Sequence, residues 1–277
     1  MSISDVVRTD LSVLRRSKLS WAVLTVLLFS TAGAFYRSIN RTPVGTAEKG
    51  ITAIAYGAMI VIPITALVAS AFAIAAEREN GTIRFLLGFP NERVEVVLGK
   101  VLSRAILVNG GLALGFLAVA LLAVVGADRP RLITVGQFAL LTMLFATSYV
   151  GLAVGISAGV TTQIRAIGGT IVAYLFWSIF WLPGFPYSVA VYVENLLAKI
   201  VGHELGRTTV VHIEVLNPPT AYMQTVQVLG PSFEEFSRGS SMASALVEPS
   251  VAIGSLVAWT VLPLAFGYWR FRAAEIN

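Results

Sequence analysis

Six stretches of this chain are long and apolar enough to cross about 30 Å of hydrocarbon as helices, a length that takes about 20 residues. They run approximately Leu19–Tyr36, Ile51–Ala76, Val101–Val125, Gly136–Val160, Ala166–Leu182 and Ser250–Trp269. A backbone inside a bilayer has to satisfy its own hydrogen bonds, so such runs leave a bundle of transmembrane helices as the expected fold. Composition agrees: 13% of residues are charged and 56% hydrophobic, with a mean hydropathy of +0.78, whereas soluble domains carry about 25% charged residues. The chain is therefore expected to be an all-α polytopic membrane protein with six transmembrane helices. Pro63 should kink the second of them. Trp21, Trp177, Trp181, Trp259 and Trp269 all lie in or at the runs, where amphipathic rings settle near interfaces.

Leu19–Ala34 also has a charged leader, an apolar core and a small-x-small ending, the form of a signal peptide. The leader of 18 residues is long and five further runs follow, so a retained first helix is expected. The absence of Cys removes disulfides, thiolate metal sites and Cys nucleophiles together. No metal or cofactor is expected in this chain. The net charge of +5 is modest, and no nucleic-acid partner is expected.

Orientation follows from Lys and Arg. With the N-terminus inside, the short inside segments hold 12 of these residues and the short outside loops hold 5. The three others lie in the loop of about 67 residues between spans five and six, and long loops count little. Both termini are thus expected in the cytoplasm. The chain reads as a single transmembrane domain over 1–277. Its parts are an interfacial helix (1–18), spans one to five (19–182), a cytoplasmic connection (77–100), an external loop (183–249), span six (250–269) and a tail (270–277).

The connection reads EREN GTIRFLLGFP NERVEVVLGK from Glu77 to Lys100, with four acids and four bases in 24 residues. Asn80-Gly81 is a turn signal. Thr82 can cap a short helix carrying Ile83, Leu86 and Leu87, ended by Gly88 and Pro90. Asn91 can cap a second helix whose stripe Val94, Val97, Leu98 and Val101 runs into span three. The first helix is too short and apolar to stand free in water, and a docking surface is expected. A plain charged turn between two spans is the alternative.

On these residues the chain resembles ABC type-2 transporter permeases, in which an acidic-x-acidic-x-Gly-Thr turn leads into a short apolar helix after the second span. A run similar to R-x-x-V-V-L-G-K then opens the third. Within that superfamily the organisation is similar to the membrane subunits of nitrous-oxide-reductase maturation transporters. The resemblance covers the architecture of the whole chain and is specific in residues for about Glu77–Arg104. It implies that Thr82–Phe89 is a coupling helix resting in a cleft of a separate ABC ATPase. The contact residues would be Glu77, Glu79, Gly81, Thr82, Arg84, Phe85, Leu86 and Phe89. It also implies a working unit of two permeases and two ATPases, with ATP and Mg on the ATPases and a permease homodimer set among membrane lipid. The sequence holds no G-x-x-x-x-G-K-[ST] loop, so ATP hydrolysis belongs on another polypeptide. Export fits the resemblance.

Two other functions bear weighing. An ion-coupled secondary transporter normally needs ionisable groups within the membrane; the six span cores contain none, and Asn109 is the most polar residue deep in a span. An intramembrane hydrolase is suggested by Gly155-Ile156-Ser157-Ala158-Gly159, the G-x-S-x-G pattern, but that motif needs a strand–turn–helix setting and a nearby base. Gly151, Gly155 and Gly159 recur every four residues instead, which predicts a close helix–helix contact, within the subunit or across a dimer.

At the N-terminus Ile3, Val7, Leu11 and Leu14 share one helical stripe away from Arg8, Arg15 and Arg16, which suits an interfacial helix. In the external segment Val189–Leu205 is expected to be helical, and Ser232-Phe233-Glu234-Glu235 has capping-box spacing. Short helices lying on the outer face are expected there. His203, His212 and Glu214 make a weak metal pattern, and solvated histidines are the better reading.

Overall fold

The computed structural model describes residues 2–41, 47–83, 93–126, 131–181, 188–227, 229 and 247–273. Within them the helices are α1 (Ile3–Arg16), α2 (Lys18–Arg41), α3 (Ala47–Ser70), α4 (Ala75–Glu79), α5 (Arg93–Gly126) and α6 (Leu132–Gly159). They continue with α7 (Gln163–Leu175), α8 (Val189–Val201), α9 (Arg207–Val215), α10 (Pro218–Gln227) and α11 (Pro249–Ala273). No strand occurs among the described residues. Six of the helical stretches are long and apolar enough to span a membrane. These are α2, α3 with α4, α5, α6, α7 with the π-helical turn Phe176–Phe180, and α11. The six-span, all-α reading of the sequence therefore stands.

Helix α6 is the hub. It packs against α3, α5, α10 and α11, and Phe138, Phe145, Tyr149 and Val150 on it are fully enclosed. The outer helices keep one face free: Phe29 on α2, Ile164 on α7 and Leu262 on α11 are all more than half exposed. Apolar groups exposed on membrane-spanning helices meet lipid chains rather than water, so these faces carry no hydrophobic penalty.

Span two is interrupted, but not at Pro63, which sits inside a continuous α3. The break is a run of turns at Ala71–Ile74, before α4. The amides of Ile74 and Ala75 are taken by Ser157 Oγ on α6, at 3.1 and 3.0 Å. A side chain inserted into the i→i−4 ladder is an established cause of such breaks.

The expectation of short helices lying on the outer face fails for α10. All ten of its residues, PPTAYMQTVQ, are buried, and it packs against α6 and α11. Tyr222 stacks on Phe145 with centroids 4.4 Å apart, and its hydroxyl lies 3.0 Å from Thr142 Oγ1. Four of its residues are Thr or Gln, and α6 supplies the aromatic and hydroxyl partners that offset the cost of burying it. Helix α8 stops at Gly202, whose φ of +83° is the left-handed C-cap geometry glycine favours. The capping-box spacing at Ser232–Glu235 lies outside the described residues.

Candidate functional site

The charged connection after span two and the ends of four other segments meet at one end of the bundle, held by side chains the sequence pattern had not paired. Lys100, in the second turn of α5, is buried and lies 2.6 Å from Asp10 Oδ1 of α1. Its ammonium also holds Glu77 of α4. Asp10 accepts a further hydrogen bond from Ser103 Oγ and faces Arg104 Nη2 at 3.6 Å. Burial alone would raise the Asp10 carboxyl pKa, but Lys100 and Arg104 together with hydrogen bonds from Lys100 and Ser103 outweigh it and hold the group below its ordinary value. Asp10 is therefore ionised at neutral pH.

Arg78 and Glu79 tie the same connection to the α6–α7 corner. Arg78 Nη1 donates to the carbonyls of Ala158 and Val160 at 3.2 and 2.9 Å. Those carbonyls lie at the C-terminal end of α6, where the helix dipole favours a cation. Glu79 Oε2 accepts from the Gln163 amide at 2.7 Å, at the N-terminal end of α7, where it favours an anion. Glu77 thus pairs with Lys100, and Glu79 with a helix end, rather than with the neighbouring Arg78 or Arg93. Arg93, the first residue of α5, donates instead to the carbonyls of Phe271 and Arg272, both at 2.8 Å. Arg78 and Arg93 also both stack near the Phe271 ring, at 5.5 and 5.7 Å from its centroid. One end of the bundle thereby joins α1, α4, α5, the α6–α7 corner and the end of α11.

Gly81 has φ +74°, a left-handed turn in open space that a residue with Cβ resists. Thr82 Oγ1 donates to Glu77 O at 3.3 Å and so closes the turn; the segment that it is expected to cap lies outside the described residues beyond Ile83. Arg84, Phe85, Leu86 and Phe89 lie outside the described residues.

The three spaced glycines of α6 face α11 of the same chain. A Cβ on Gly151 would sit 2.6 Å from Thr260 O, and one on Gly155 would collide with Pro263 O. A Cβ on Gly267 would in turn strike Gly155 O. Gly159 is looser, with Arg270 Cδ at 3.6 Å. The helices therefore touch backbone to backbone across Gly151, Gly155 and Gly267. Ser157, the centre of the G-x-S-x-G pattern, is fully buried and engaged with two amides of span two, and it sits in helix rather than at a strand–turn–helix elbow.

Asp10 is the residue that sequence reading missed. Helix α1 turns Val6, Asp10 and Leu14 inward, with Val6 packed over Gly99 of α5. The expected stripe of Ile3, Val7 and Leu11 is only half-buried beside that row. The available signal was spacing: Asp10 lies four residues from Val6 and from Leu14, on one helical face. Among the two histidines, His203 Nδ1 meets Glu204 O at 2.9 Å and His212 Nδ1 meets Thr208 O at 2.6 Å, each within its own segment.

Comparison with known proteins bears on what such an assembly belongs to. The model of the ABC-2 family transporter protein matches residues 5–276. The chain is 25% identical over 265 residues to the "Probable ABC transporter permease protein NosY" of Pseudomonas aeruginosa, covering 93% of this chain and 91% of that protein. With a family match that runs from α1 to beyond α11 and a six-span architecture to go with it, this chain belongs to the ABC-2 family of transporter proteins.

Proposed function

We propose that this chain is the membrane subunit of an ATP-driven exporter, worked by a separate ABC ATPase that docks on residues 82–89. The charged end of the bundle faces the cytoplasm in this reading, as the excess of Lys and Arg at that end requires. Two copies of the chain and two ATPases form the unit, with ATP and Mg held on the ATPases. ATP binding closes the ATPases, their movement pushes the 82–89 segment, and the displacement passes into spans two and three.

The observation that carries this reading is the wiring of the connection. Glu77, Arg78 and Glu79 precede the segment and Arg93 and Lys100 follow it, and each of the five is bonded to another part of the bundle. A force applied between them is delivered to α1, α5, the α6–α7 corner and α11 rather than lost in a loose loop. Sub-ångström shifts become larger transitions when packed elements have discrete arrangements. The relative's name, an ABC transporter permease, supports the same assignment.

The chain has no cysteine, so a single Thr82→Cys or Phe89→Cys variant gives an unambiguous cross-linking probe. In a complex with its co-expressed ABC ATPase, both are expected to cross-link to the ATPase, and Phe85→Ala with Arg84→Glu should uncouple ATP hydrolysis from the permease without lowering its thermal stability. Cross-linking confined to the opposite end of the bundle, or unchanged coupling in the double variant, overturns the docking assignment.

A further inference from the structure

A groove runs between spans one and two, at the end of the bundle away from the Lys100 cluster. It encloses about 580 Å³ and is lined by Phe29, Ser30, Gly33, Ala34 and Arg37 of α2 and by Ala53 of α3. Its place along the bundle is fixed by α5. Lys100 sits near the start of that helix, whereas a Cβ on Gly126 at its last residue would lie 3.2 Å from Ile39 Cδ1 of α2.

The groove is apolar along its length and cationic at one end. Phe29 is 68% exposed on a membrane-spanning helix, so this wall faces hydrocarbon rather than water. A Cβ on Gly33 meets nothing within 4 Å, which leaves the middle of the groove open. Ser30 Oγ is spent on Leu27 O at 3.2 Å, and Ser38 at the rim also has a partner. Arg37 is exposed and makes no ion pair or hydrogen bond among the described residues. Its guanidinium is therefore the donor that the groove offers a ligand.

Depth says what that ligand meets. Helix α2 is continuous from Lys18 to Arg41. Lys18 and Arg37 stand 19 residues apart on it, about 28 Å at about 1.5 Å per residue, close to the roughly 30 Å of hydrocarbon in a bilayer. With Lys18 and the Lys100 cluster at one surface, Arg37 stands at the headgroup level of the other, where cationic side chains reach the interface. Phe29 lies two helical turns deeper, about 12 Å into the acyl layer.

We propose that this groove binds an anionic phospholipid of the leaflet opposite the Lys100 cluster, its phosphate on the Arg37 guanidinium and one acyl chain lying over Gly33 and Ala34 toward Phe29. A planar guanidinium gives phosphate oxygens two parallel N–H bonds. A net negative headgroup suits the site better than a zwitterionic one, because no acidic side chain among the described lining residues meets an ammonium. Free phosphate uses Arg37 alone and gains nothing from the apolar wall. The site stands whether or not an ATPase docks on residues 82–89.

The test titrates the intact chain in neutral detergent with phosphatidylglycerol and, separately, with phosphatidylcholine, read by native mass spectrometry. One phosphatidylglycerol per chain is expected to bind saturably and at least tenfold more tightly than phosphatidylcholine. Gly33→Leu fills open space and should weaken binding at least tenfold with an unchanged melting temperature. Arg37→Gln should weaken phosphatidylglycerol about tenfold, the loss of a charge-assisted contact, and leave phosphatidylcholine unchanged. Excess inorganic phosphate should not displace the lipid. Because the chain has no cysteine, Gly33→Cys reports in native membranes whether a second copy covers the groove, and no cross-link between chains is expected. Binding that does not saturate, or that is identical in Gly33→Leu, overturns the site. Equal losses of both lipids in Arg37→Gln, or displacement by phosphate alone, overturn the anionic-lipid assignment. Gly33→Cys cross-linked to a second chain shows that protein, not lipid, occupies the groove.

Discussion

Lys100 Nζ and Asp10 Oδ1, 90 residues apart in sequence, are 2.6 Å apart in a buried contact, and the same ammonium holds Glu77. One cation thus fastens the N-terminal helix and the end of span two to the start of span three. Breaking a buried pair by removing one partner costs about 3–5 kcal/mol, because the other charge is left uncompensated. Lys100→Met strands two carboxylates and is expected to lower the melting temperature of the purified protein by about 6–20 °C, at about 2–4 °C per kcal/mol for a chain of this size. Asp10→Asn should cost less, because Glu77 still neutralises Lys100. Asp10→Asn with Lys100→Met should cost less than the sum of the two. The Asp10 carboxyl is held below its ordinary value, so its contribution is present above the unfolded carboxyl pKa and is lost only as pH falls through the lower folded one. The gap between wild type and Asp10→Asn should therefore stay constant from pH 6 to 8. Additive losses, or a gap that closes in that range, would show that the contacts are not coupled.

Ser157 accepts from two backbone amides at the break in span two. Ser157→Ala leaves both donors buried without that partner, at about 1–3 kcal/mol in total. Hydrogen exchange should accelerate at Ile74–Glu79 in this variant and not in the half of α3 before Pro63. Unaltered exchange there would mean that the break holds without the serine.

Glycine substitutions along the α6–α11 contact should divide by what a methyl group meets. Gly155→Ala and Gly267→Ala place Cβ against backbone of the facing helix, and overpacking of this kind costs about 1–3 kcal/mol. Gly33→Ala and Gly110→Ala meet nothing within 4 Å and should be neutral or slightly stabilising, since Ala is the better helix former. Melting temperatures of the four variants in one detergent test the division, and similar losses at all four positions would refute it.

The spans were legible in the sequence because lipid imposes a length and a composition that the chain cannot disguise. The small-residue row Gly151, Gly155 and Gly159 also carried its geometry in its spacing. What stayed hidden was long-range pairing. Nothing local marks Asp10 as the partner of Lys100, and the charges of Glu77, Arg78 and Glu79 read as solvated or as contacts for another protein when each is spent on a helix end or a buried cation. Helix α10 gives no local sign of its burial either: Thr220, Gln224 and Thr225 are enclosed, on a helix that meets Phe145, Thr142 and α11 through Tyr222 and its neighbours.

The segment between spans five and six makes the last prediction. Burial, and then the neighbouring Glu194 charge, push the Glu214 carboxyl up to about 7. The folded protein therefore binds a proton there that the unfolded chain releases nearer its ordinary value of 4.5. Where the folded state holds more protons, stability falls as pH rises. The contribution is present below the unfolded pKa and is progressively lost up to the folded one, an effect of about 1–3 kcal/mol between pH 4.5 and 7. Glu214→Gln keeps the shape of the protonated group without the titration. The wild-type melting temperature should decline relative to Glu214→Gln as pH is raised from 5 to 8, with faster hydrogen exchange in α8 and α9 at the higher pH. Parallel curves for the two proteins across that range would show that Glu214 is ionised in the fold throughout.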